Sequence, residues 1–84
     1  MANLVKKDYD TRSFPDICST LTQDQWLVIR ERIMTRTRCS KQTILNWKSG
    51  KTIPASILER VAISGIVNRF LGINTNHNFL FVEP

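Results

Sequence analysis

Glycine, proline, cysteine and histidine are all scarce in this 84-residue chain, at three, three, two and one. So little glycine and proline excludes a collagen-like or low-complexity chain. With 42% hydrophobic and 23% charged residues, a disordered chain is excluded too. Cys18 and Cys39 are too few for a disulfide framework and lack the paired close spacing of a zinc site. His77, alone among asparagines, reads as a solvated loop residue rather than a ligand. No Ser/His/Asp or Cys/His constellation stands out, so no catalytic residue, metal or cofactor is expected, and the chain reads as a non-enzyme. Cys39 reads as a partly buried turn residue rather than a reactive thiol. Residues 1–16 hold no apolar run of secretory length, and no stretch of about 18 apolar residues occurs anywhere. The expectation is a cytoplasmic, reduced protein with no membrane contact and no small-molecule substrate.

Positive charge is abundant and segregated. The whole chain carries 12 Lys and Arg against 7 Asp and Glu, a formal net charge of +5. Seven of the basic residues lie between Arg30 and Lys51 with one acid, Glu31, so this segment alone carries +6. The remaining residues sum to −1. Charge gathered on one short segment focuses potential on one surface, which is the footprint of a polyanion partner. A membrane-surface helix would need a broad apolar face beside the cations, and this segment is too interrupted for that. A domain this small buries only about 60% of its unfolded surface. Binding is therefore expected ahead of catalysis in a deep site.

The chain reads as a single domain over 1–84, with an N-terminal arm at 1–15, a helical core at 16–72 and a tail at 73–84. Its fold class is mainly α: four to five helices with a helix-turn-helix, and a short β-strand at the C-terminal end. One helical turn at 16–20 packs Ile17, and Arg60 and Arg69 read as solvated. Thr22 with Gln25 three positions on has the form of a capping box, and Asp24 suits the first turn of a helix. Trp26, Leu27, Ile29, Ile33 and Met34 then recur at helical spacing, predicting an amphipathic helix over 23–37. Ser40 caps a second, short helix through Ser49 whose apolar stripe is Ile44 and Trp47, and Gly50 ends it. Pro54 is placed at the first position of a third helix, rich in apolar residues as far as Leu71. Gly65 either breaks that helix or permits close packing. In the tail, Phe79-Leu80-Phe81-Val82 has strand preference.

Two consecutive helices, the second short, capped and polar outside, make a helix-turn-helix. Such a helix fits a major groove about 12 Å wide, and side chains such as Lys, Gln and Asn hydrogen-bond base edges there. Over 40–54, SKQTILNWKSGKTIP, the sequence resembles the lambda-repressor-like helix-turn-helix family of phage repressors and bacterial regulators. Ser40, Ile44, Trp47, Gly50 and Pro54 carry the resemblance, which extends more weakly over 23–71. It implies base contacts by Lys41, Gln42 and Asn46, with Leu45 against a thymine methyl. It also implies phosphate contacts by Thr43 and by the 50–52 loop with Lys51 and Thr52. Lys48, Arg36 and Arg38 are added as phosphate candidates by charge and position. Where the family has a small residue and a turn glycine, this chain has Met34 and Arg38. A turn of greater length or different shape is expected there, with Arg36 and Arg38 directed either to phosphates or to Glu31.

The function expected is sequence-specific binding of double-stranded DNA by a small transcriptional or mobile-element regulator. A homodimer is expected, since one short helix reads few base pairs, with Phe79–Val82 pairing across the axis or folding back on Leu4–Tyr9. The competing assignment is a protein-interaction module on the same scaffold without DNA binding.

Overall fold

The computed structural model describes residues 9–82, which form a mainly helical domain of five helices. These are α1 (Phe14–Cys18), α2 (Gln23–Thr37), α3 (Lys41–Ser49), α4 (Ile57–Leu71) and α5 (His77–Leu80). Each begins at a side-chain cap that satisfies an otherwise orphaned backbone N–H. At α2 the capping box is complete: Thr22 Oγ1 accepts from Gln25 N at 3.1 Å, and Gln25 Oε1 accepts from Thr22 N at 2.9 Å. Ser40 Oγ accepts from Thr43 N at 3.2 Å and opens α3.

The core is assembled from one stripe of each helix. Phe14 and Ile17 of α1, Ile29 and Ile33 of α2, Ile44 of α3, Ile63 and Val67 of α4, and Leu80 are all buried. Trp26 and Trp47 join them, as expected of the indoles, and Met34 packs against the cluster from its edge. Gly65 does not interrupt α4, which runs unbroken to Leu71.

Gly50 serves two needs at once. Its φ of +82° is the left-handed conformation that closes α3, and a Cβ there would meet Pro15 Cγ of α1 at 3.3 Å. The end of α3 is thereby held against the start of the domain.

Four expectations are corrected. Phe14 and Pro15 belong to a helix rather than an arm, because Ser13 caps it from outside by accepting from Asp16 N at 3.3 Å. Residues 1–8 of the expected arm lie outside the described residues. Pro54 does not open α4: Ser56 is the cap, accepting from Leu58 N at 3.1 Å, and Pro54 is buried in the preceding loop. Arg60, read as solvated, is buried at 8% exposure, with Nε donating to Pro54 O at 2.7 Å. The expected strand at Phe79–Val82 is absent. Phe79 and Leu80 form α5, capped by Asn76, whose Oδ1 accepts from Asn78 N at 2.8 Å. Phe81 then turns into the core at 5.4 Å from the Phe14 ring. Strand preference needs a neighbouring strand to act on; the nearest approach to one among the described residues is an isolated bridge between Asp10 and Thr75.

Candidate nucleic-acid interface

Three residues, 38–40, join α2 to α3. Arg38 closes α2 by adopting the left-handed conformation itself, with φ 61° and ψ 24°, and its N–H donates to Met34 O at 2.7 Å. The turn thus keeps the shape a glycine would give, and the expected lengthening does not occur. The cost is a Cβ crowded against the following carbonyl, about 1–2 kcal/mol for an L residue. Arg38 is the single non-glycine residue at positive φ among those described.

On α3 the burial of Ile44 and Trp47 turns the opposite side outward. Gln42, Leu45, Asn46 and Ser49, at helical spacings of three and four, share that side, and Lys41 extends it at the N-terminal end. Gln42 Nε2 donates to Asn46 Oδ1 at 3.2 Å, so the two amides present themselves as one unit. The unit keeps the Gln42 Oε1 acceptor beside the free donors of Asn46, which matches the donor and acceptor that adenine shows in the major groove. Ser49 was not singled out from the sequence. The i, i+7 relation to Gln42 was the available signal.

The phosphate candidates divide. Lys51 and Thr52 are exposed in the loop after α3. Their backbone N–H groups are already committed to Asn46 O, at 2.9 and 3.3 Å, so only their side chains remain for a phosphate. Thr43 is half-buried and shares a hydrogen bond with Ser40 at 3.0 Å. Lys48 has a partner inside the domain: its Nζ stands 4.5 Å from the centroid of the Trp26 ring, fastening α3 to α2. Arg36 and Arg38 line a hollow with Glu31, Arg32, Thr35 and Ile66, on the α2–α4 side of the molecule. Neither folds back on Glu31, which pairs with Arg30 at 3.5 Å.

Both cysteines are free. Burial pushes the Cys18 thiol up to about 12, against a smaller opposing effect of the Lys48 charge. Cys39 Sγ lies 3.8 Å from Glu59 Oε2. Among the described residues no group of three or more His, Cys, Asp or Glu side chains is placed to hold a metal ion. None of the described helices is long and apolar enough to cross a membrane. Comparison with protein-family models, curated proteins and solved structures finds no match to this chain.

Proposed function

We propose that this protein binds double-stranded DNA sequence-specifically, as a small transcriptional or mobile-element regulator, with α3 as the element that enters the major groove. The observation that carries the reading is the outward face of α3. It holds Lys41 and the hydrogen-bonded Gln42–Asn46 pair, includes no acid, and belongs to a segment of net charge +6. Lys41 donates to guanine, the Gln42–Asn46 unit reads adenine, and Leu45 touches a thymine methyl. Lys51 and Thr52 meet the phosphates that flank α3, with Arg38 and Thr43 in support. Arg38 borders the same hollow as Arg36 but sits in the turn that leads into α3, whereas Arg36 stays within α2; Arg36 and Lys48, which packs on Trp26, are left out of this contact set.

The two classes of contact behave differently on substitution. Lys51→Ala weakens binding to every sequence alike and lowers the salt slope by about one. Gln42→Ala relaxes discrimination at one base pair, by about 1–3 kcal/mol. Fluorescence anisotropy against a panel of single-base duplex variants measures both. If Gln42→Ala leaves the preference among duplexes unchanged, the base-reading role is wrong.

A further inference from the structure

Two side chains of α3, Ile44 and Trp47, are buried. Three positions apart, they define a single line, and contacts on one line hold a helix down without fixing its roll about that line. At its N-terminal end α3 is tied to α2 by the turn 38–40. A contact off the line and far from the turn is needed to set its angle. Lys48 supplies one. It lies in the last turn of α3, about 100° round the helix from Trp47. Its Nζ stands 4.5 Å from the centroid of the Trp26 ring. Trp26 is itself fixed at the other end of α2, where its N–H donates to Thr22 O at 2.9 Å beside the capping box. The two helices are thus joined at one end by the chain and at the other by a cation on an aromatic face.

The ammonium of Lys48 has no carboxylate to hold it. The ion pairs among the described residues are Arg12–Asp10 and Arg30–Glu31, so the indole is its counterpart. Lys48 is half-buried, and a cation drawn partly out of water binds a ring face more strongly than an exposed one. Its charge also stands near enough to Cys18, the last residue of α1, to oppose the upward push that burial gives that thiol. The head group therefore sits where α1, α2 and α3 meet. That places it on the flank of α3 toward α2, off the side that carries Gln42, Asn46 and Ser49.

We propose that Lys48 is a positioning residue for DNA recognition: resting on Trp26, it sets the angle of α3 against α2 and touches no DNA itself. The inference rests on the reading of α3 as the helix that enters the major groove. A molecule whose α3 is tilted presents Gln42 and Asn46 to the wrong base edges. Phosphate contacts from flexible lysine side chains tolerate the same tilt. Specific affinity falls with the fraction of molecules in which α3 is correctly set. Non-specific affinity, carried by the phosphates, does not. Lys48 acts on selectivity and leaves charge neutralisation to others, the reverse of a phosphate ligand.

Fluorescence anisotropy of Lys48→Met and Lys48→Arg over a range of salt tests it, on the duplex the wild type enriches from a random library and on a shuffled duplex. Met keeps the apolar stem and loses the charge, whereas Arg keeps a cation for the ring. Lys48→Met is expected to bind the enriched duplex about fivefold more weakly, with the shuffled duplex and the salt slope nearly unchanged. Lys48→Arg is expected to recover the selectivity. In the free protein, Lys48→Met is expected to move the Trp26 indole resonance and the amide resonances along α3 in NMR spectra. Circular dichroism confirms that each variant is folded. If Lys48→Met weakens both duplexes alike and lowers the salt slope by about one, Lys48 is a phosphate ligand and the proposal is overturned. Selectivity intact in Lys48→Met, or a Trp26 resonance that does not move, overturns it as well. Equal loss in Lys48→Arg overturns the role of the cation. A wild type that enriches no duplex overturns the DNA reading and this inference with it, while the resonances of the free protein still report the contact.

Discussion

Arg38 holds a backbone conformation that costs an arginine about 1–2 kcal/mol and a glycine nothing comparable. A strained residue that carries a charge beside a proposed anion-binding helix is kept at the expense of stability. Arg38→Gly is therefore predicted to raise stability by about 1 kcal/mol, seen as a higher denaturant midpoint at unchanged slope. The same change is predicted to weaken DNA binding and to reduce its salt slope by about one. A variant both more stable and equally tight would remove Arg38 from the DNA contacts. Cys18 makes a second prediction at this scale. Its thiol keeps its proton to about pH 12 in the fold, whereas an ordinary thiol loses it from about 9.0. Between those values the unfolded chain has released a proton that the folded chain retains, so stability falls as pH rises. The contribution is about 1.4 kcal/mol per pH unit. Cys18→Ala is predicted to flatten that decline in denaturant titrations between pH 9 and 12. An unchanged slope would contradict the buried-thiol assignment.

At the scale of the element, the tail makes the clearest prediction. Phe81 stacks on Phe14 and is buried, so Phe81→Ala is expected to cost about 3–5 kcal/mol in chemical denaturation. A loss below about 1 kcal/mol would contradict the packing of the tail. The same elements show what was legible in the sequence. The helices at 23–37 and 41–49 were readable because their signals are local: the Thr22–Gln25 box, the Ser40 cap, and Gly50 at the far end. The outward position of Gln42 and Asn46 followed from helical period alone. The tail was misread because the choice between strand and helical turn depends on Phe14, far away in the sequence. Arg60 was misread for a related reason: it shares the buried register of Ile63, Ser64 and Val67, and a carbonyl six residues back accepts from it. The packing of Lys48 on Trp26 was not legible because nothing near it in sequence announces that ring.

Across the whole molecule, the charged and apolar surfaces meet along the α2–α4 groove, where Arg36 borders Leu58, Val61 and Ala62. The segment of net charge +6 runs through the second half of α2, the turn, α3 and the following loop. The exposed apolar residues of α4 lie outside that segment. Phosphate neutralisation would supply most of the affinity, with a steep dependence on salt, and α3 would supply the choice of site. Selection of bound duplexes from a random DNA library at two salt concentrations tests this most directly. The account predicts enrichment of one short motif at both salts. Binding without enrichment, or no binding at either salt, would contradict it.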